Sequence, residues 1–264
     1  QENSDIAIQA LSLGAVDVVA KPTLGIQHGM NERKEEIIRK IRMAAQARVG
    51  RFPLPALPAE ASPLPSTHKG LKITTDKLIV IGASTGGTVA LTEICRRLHP
   101  NVPGILIVQH LPAMFTPSFS ASLNQVARIR VKEAEDGEQI TSGLALVVPG
   151  GKNLTVRKSG AKYLVKIVPK LAHSIYTPSI NHTFRSVAEA AGINAMGIIL
   201  TGMGDDGAIG LKAMREKGAY TIAQDEESSV IYGMPQKAWE NEAAIKQAPL
   251  SKIADEIHRW AGIA

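Results

Sequence analysis

Residues 77–87, KLIVIGASTGG, set four aliphatic side chains, Leu78, Ile79, Val80 and Ile81, directly before a serine held among glycines. A continuous, largely β-branched run is the pattern of a strand buried on both faces of a parallel sheet; a strand with one wet face would alternate apolar and polar residues. Gly82-Ala83-Ser84-Thr85-Gly86 then matches G-x-S-x-G. Glycines on either side allow the close backbone approach of a sharp strand-to-helix turn, which presents a hydroxyl at the edge of the sheet. Ser84 is therefore the candidate nucleophile. Such a loop can also cradle a phosphate or simply turn the chain. However, no Lys-Ser or Lys-Thr pair follows Gly87, and the spacing of Gly82, Gly86 and Gly87 is not G-x-G-x-x-G.

Apolar strand runs and amphipathic segments alternate from this point to the end of the chain. Strands are expected at 77–82, 104–109, 129–133, 144–148, 195–201 and 220–224, and helices near 88–98, 179–191, 208–217 and 251–260. Residues 154–157 and 163–168 flank Lys158-Ser159-Gly160-Ala161 and read as a hairpin. The pattern predicts an α/β fold, a doubly wound, mostly parallel sheet with helices on both faces. With 264 residues, 44% of them hydrophobic, the chain can bury one large core and part of another.

Composition narrows the function classes. No apolar run approaches the roughly 20 residues that span a bilayer, and no secretory signal pattern opens the sequence, so membrane insertion is not expected. The single cysteine, Cys95, cannot close an internal disulfide and reads as a small apolar helix residue, in keeping with a reducing, cytoplasmic setting. A net charge of +6 with 4% aromatics and no run of Lys or Arg describes a solvated surface open to acidic partners, not a nucleic-acid footprint.

Pro53, Pro55, Pro58, Pro63 and Pro65 mark residues 49–76 as a semi-rigid linker, because such a segment sustains neither helix nor ladder. Before it, residues 5–15 have a helical pattern, 16–20 (VDVVA) that of a buried strand, and 31–49 that of a helix with Ile37, Ile38, Ile41 and Ala44 on one stripe. One strand cannot make a sheet, so residues 1–48 read as the tail of a larger domain and 77–264 as the main one.

A serine hydroxyl needs a base to take its proton and a group to orient that base. In doubly wound sheets these converge beyond the carboxyl ends of the strands. Of seven histidines only His110 ends a strong strand, GILIVQH; His28, His68, His99, His173, His182 and His258 fall in loops, at helix ends or on helices. Thr201-Gly202-Met203-Gly204-Asp205-Asp206-Gly207 follows the strand AMGIIL. Either carboxylate could orient an imidazole while the other caps the helix expected at 208–217. On these residues alone two other readings stand: a metal-assisted site of His110, Asp205 and Asp206, and a non-enzymatic loop at 82–87 that binds an anion or a partner.

Six ordered motifs, IGASTGG, VQHLPAMFTPSF, VKEAEDGE, VVPGGKN, ILTGMGDDGAIGL and IAQDEESSVIYGMP, resemble the catalytic domain of chemotaxis protein-glutamate methylesterases of the CheB type, from about residue 77 to the C-terminus. The resemblance implies a triad of Ser84, His110 and Asp206; the backbone N–H of Thr85, next to the nucleophile, and that of Met203 are expected to receive the oxyanion. It implies no cofactor and no metal, demethylation of glutamate methyl esters and deamidation of glutamines on chemoreceptor cytoplasmic helices, and contact with a chemotaxis histidine kinase through a complete receiver domain. Residues 11–22, LSLGAVDVVAKP, resemble the end of such a receiver, with Lys21 at the phosphate-sensing position and a cis bond expected before Pro22. In that light Asp17 is not the phosphoacceptor, the chain reads as an N-terminally truncated response regulator, and constitutive activity is expected. Two departures stand out: Asp205 occupies a place that is often Asn, and Thr177-Pro178-Ser179-Ile180-Asn181 replaces Arg-Pro-Ser-Val-Asp, which bears on selectivity.

Overall fold

The computed structural model describes residues 2–19, 34–48, 76–172 and 175–263. Lys21 and Pro22, and the proline-rich stretch from 51 to 75, lie outside the described residues. From residue 78 onward the elements are β1 (Leu78–Ala83), α3 (Gly87–Arg97), β2 (Gly104–Gln109), α4 (Thr116–Val126), β3 (Arg130–Glu133), β4 (Gln139–Ile140), β5 (Leu144–Val147), β6 (Asn153–Ser159), β7 (Lys162–Val168), α5 (Ile180–Ala191), β8 (Ala195–Ile199), α6 (Ala208–Glu216), β9 (Tyr220–Gln224), α7 (Met234–Glu240), β10 (Lys246–Ala248) and α8 (Leu250–Ala261). They are preceded by α1 (Glu2–Ser12) and α2 (Lys34–Ala44).

Seven strands form one sheet in the order β10-β9-β8-β1-β2-β5-β3, with every pairing parallel, as the apolar runs require. β4, β7 and β6 make a separate antiparallel sheet whose β6–β7 hairpin turns at Gly160-Ala161. Successive side chains of the central strands enter opposite cores. Ile79, Ile81, Ile105 and Ile107 pack with Leu91 and Ile94 of α3, Phe119 of α4 and Ile253 of α8. Leu78, Val80, Leu106 and Val108 pack with Phe184 of α5, Leu211 of α6 and Met234 of α7. Thus α3, which follows β1, and α6, which follows β8, leave adjacent strands toward opposite faces. The crevice at their carboxyl ends is the switch point where such sheets bind ligands.

Several local expectations are corrected. Residues 16–19 form no strand: the Asp17 carboxylate accepts from the Val18 N–H and pairs with Lys40, and the segment joins no ladder. On α2 the apolar stripe does not face a core; Ile38 and Ile41 are exposed, while Met43 is buried. Neither Asp205 nor Asp206 caps α6 with its side chain; Gly207 holds that position in the left-handed region. α4 and α7, each with a proline in the first turn, are additional to the expected helices.

Candidate active site

Ser84 stands immediately beyond β1, where three strands fix its backbone. Its N–H donates to the Thr201 carbonyl beyond β8 (3.0 Å), and the His110 N–H beyond β2 donates to the Ala83 carbonyl (3.1 Å). The Ser84 carbonyl accepts from Gly87 N–H and from Gln109 Nε2, both at 2.8 Å. The turn is relieved at Gly86 (φ 78°); a side chain there would meet both left-handed strain and Val230. Ser84 itself is not in the positive-φ region, where Glu242 is the sole non-glycine among the described residues. Gly202 closes the other side, since a Cβ on it would lie 2.6 Å from the Ser84 Cβ and 2.4 Å from Met234 Sδ.

The structure brings Ser84, His110 and Asp206 together in one chain of hydrogen bonds. Ser84 Oγ lies 3.2 Å from His110 Nδ1, and His110 Nε2 lies 2.9 Å from Asp206 Oδ2. With Asp206 ionised, the tautomer that makes both bonds carries its proton on Nε2, leaving the Nδ1 lone pair for the serine hydroxyl. Both side chains are nearly out of solvent, at 10% exposure for His110 and 5% for Asp206.

A buried carboxylate needs donors, and Asp206 receives them from the start of α5. Ile180 N–H reaches Oδ2 at 2.8 Å, Asn181 N–H reaches Oδ1 at 3.0 Å, and the Ser179 hydroxyl reaches Oδ1 at 3.3 Å. Burial by itself pushes the Asp206 carboxyl up, but His110 and these two N–H groups outweigh it and hold the carboxyl below its ordinary value. The helix-start dipole acts in the same direction. Asp205, by contrast, is exposed. No group of three or more metal-ligating side chains occurs among the described residues, and both His110 ring nitrogens are already engaged.

A cleft of about 290 Å³ opens over Ser84, lined by Thr85, His110, Leu111, Pro112, Tyr176 and Met203 among others. It has room for an extended side chain but not for a helix about 10 Å across. Thr85 and Met203, the two expected oxyanion donors, both line the cleft, and no acceptor is recorded for either N–H among the described residues. Asp17, Arg39, Lys40 and Met43 from the N-terminal segments also line this cleft. Asp17 accepts from the Thr85 hydroxyl at 3.1 Å and from Lys40 Nζ at 2.9 Å.

Sequence reasoning passed over Tyr176, whose ring stacks on that of His110, and the role of Ser179 and Asn181 as holders of Asp206. The serine at the predicted start of a helix was the usable signal for the latter pair. Tyr176 lies in a loop without periodicity and offered none.

A model of the CheB methylesterase family matches residues 79–257. A protein-glutamate methylesterase/protein-glutamine glutaminase of Chromobacterium violaceum is 46% identical over 98% of this chain and 76% of its own length. One of Geobacter metallireducens is 46% identical over 98% of this chain and 73% of its own. Among solved structures, the Thermotoga maritima CheB methylesterase catalytic domain superposes with a TM-score of 0.68 at 34% identity, covering 70% of this chain and 98% of that one.

Proposed function

We propose that this chain, which belongs to the CheB methylesterase family, is a protein-glutamate methylesterase and protein-glutamine glutaminase acting on chemoreceptors in chemotaxis, and that Ser84, His110 and Asp206 run its reaction. The observation that carries this assignment is the continuous Ser84–His110–Asp206 hydrogen-bond chain at the floor of the cleft.

In this reading Ser84 Oγ attacks the side-chain carbonyl of a receptor glutamate methyl ester while His110 Nδ1 takes the hydroxyl proton. Asp206 keeps the Nε2 proton in place and stabilises the imidazolium. The backbone N–H groups of Thr85 and Met203 receive the oxyanion, each worth roughly 10² to 10³ in rate by analogy with other oxyanion donors. His110 returns the proton to the departing methoxide and methanol leaves. Water, deprotonated by His110, then attacks the acyl-serine and releases the glutamate carboxylate. With a glutamine substrate the leaving group is ammonia, and the second half is identical.

The small cleft agrees with a substrate that inserts one side chain while its helix stays outside. We further propose a cytoplasmic site of action, the division into 1–48, 49–76 and 77–264, and kinase contact through a complete receiver domain. No helix among the described residues is long and apolar enough to cross a membrane.

The test is methanol release from a methylated chemoreceptor fragment, together with labelling by a serine-directed phosphonate. A single adduct on Ser84 and loss of turnover in Ser84→Ala, by up to about 10⁶-fold, support the assignment. An adduct elsewhere with turnover retained overturns it.

A further inference from the structure

We propose that Tyr176 is a positioning residue for the hydrolysis: its phenol ring fixes the His110 imidazole in the line between Ser84 and Asp206 and offers a π face to the imidazolium. The inference rests on His110 acting as the general base. The two rings are stacked with centroids 4.5 Å apart and planes 3° from parallel.

The geometry explains why such a partner is needed. An imidazole turns about a broad, roughly two-fold terminal torsion. Its hydrogen bonds to Ser84 and Asp206 hold the ring by its edge, and tilting out of that line is opposed only by what packs on its faces. Tyr176 supplies that packing. It belongs to the same short segment, 176–181, whose Ser179, Ile180 and Asn181 hold Asp206. One stretch of chain thus secures the histidine from the face and, through the carboxylate, from the edge.

The chemistry of the ring suits the second half of the role. A neutral aromatic face attracts a cation, most strongly where water is excluded. Burial pushes the Tyr176 phenol up from its ordinary value, so at neutral pH the ring carries no charge of its own. Gly204 (φ 89°), in the loop that bears Asp206, leaves space for the phenol oxygen, which would lie 3.0 Å from a Cβ at that position. The same ring is also met by Arg39, whose guanidinium carbon is 5.7 Å from the ring centroid.

The proposal separates ring from hydroxyl and function from fold. In the full chain, Tyr176→Phe keeps the stack, and Tyr176→Leu keeps apolar bulk without a π face. Asp206, Asp205, Asp17, Arg39 and Lys40, the charged groups around the cleft and the phenol, are the same in both. With methanol release from a methylated receptor fragment as readout, Tyr176→Phe is expected within about threefold of the parent. Tyr176→Leu is expected to lose about tenfold or more in kcat at little-changed KM, because the imidazolium formed in the transition state has lost a stabilising face.

Matching circular dichroism and thermal unfolding of the two variants show that fold is not the cause. Equal activity of the Leu and Phe variants, or a loss confined to KM, overturns the proposal while leaving the esterase reading intact. No methanol release by the unaltered chain overturns the esterase reading, and this inference with it.

Discussion

Asp206 and Asn181 each close the start of a helix that belongs to the other. Asp206 lies in the loop before α6 yet accepts from the first N–H groups of α5, while Asn181, in the first turn of α5, accepts from the Gly210 N–H of α6 at 2.7 Å. Each exchange satisfies backbone donors that a helix start leaves without partners. The consequence is functional. The carboxylate that meets His110 is held by the start of α5, and Asn181, first noticed as a departure bearing on selectivity, both donates to it and ties that helix start to α6.

The two adjacent carboxylates should therefore differ sharply. Asp206→Asn removes the charge that fixes the His110 tautomer and should lower kcat by roughly 10⁴, by analogy with other triads. It also turns amide hydrogens or a weaker acceptor toward the Ile180 and Asn181 N–H groups, costing about 1–3 kcal/mol of stability. Asp205 is exposed, and Asp205→Asn should stay within about tenfold of the parent, a change of about 1.4 kcal/mol in barrier. Measuring methanol release by both variants side by side checks the assignment; an active Asp206→Asn with a dead Asp205→Asn reverses it.

Acid stability should report the same carboxyl. Asp206 has its folded-state pKa depressed, so its contribution is present above the unfolded value of about 4 and is lost as pH falls through the lower folded value. Urea unfolding of the parent at pH 6 and across the range below about pH 4 should show this decline, and Asp206→Asn should show less of it. Parallel pH dependences in the two proteins would count against Asp206 as a source.

How much of this was legible follows from where the information lies in the chain. Ser84, His110 and Asp205-Asp206 each follow an unbroken apolar strand, and parallel strands bring such positions to one edge of a sheet. The central strands were readable for the same reason. α4 and α7 were not, because Pro117 and Pro235 look like helix breakers although the first turn of a helix accepts proline. β10 has three residues, too few to show a period. Tyr176 against His110, and Asp17 against Thr85, are contacts between segments far apart in sequence, for which no local pattern exists.

Gly202 offers a test of packing at the proposed nucleophile. A methyl group there would press on the Ser84 Cβ and Met234 Sδ, both at distances no real Cβ tolerates. Gly202→Ala should move the serine out of line with His110 and cost about 10² or more in kcat, a sensitivity known for small misplacements of reacting groups. Overpacking should also lower stability by about 1–3 kcal/mol. Thermal unfolding and methanol release on the same sample check both; unaltered kcat would show that the contact is absorbed elsewhere.

Cys95 should be silent. Its side chain is fully buried on α3, and burial pushes the thiol up to about 12. Because the thiolate is the reactive form, iodoacetamide at pH 8 should leave the native protein unlabelled and active, with labelling appearing on denaturation. Rapid native labelling would contradict the burial.

Asp17 ties the N-terminal segment to the residue next to the proposed nucleophile, through Thr85 Oγ1 on one oxygen and Lys40 Nζ on the other. Thr85 is only 4% exposed, and its N–H is one of the two groups assigned to the oxyanion. While this contact persists, a receptor helix approaching the cleft meets Asp17, Arg39, Lys40 and Met43 on its wall. Asp17→Ala removes a charged acceptor from the contact, on the order of 1–2 kcal/mol, and shifts the population toward an open cleft. Phosphonate labelling of Ser84 and methanol release should both rise several-fold, with kcat/KM for the receptor fragment gaining more than the rate for a small ester that enters without moving the segment. Equal gains on the large and the small substrate would mean that Asp17 acts on the chemistry through Thr85, not on access, and a fall in both would mean that the contact supports the oxyanion site.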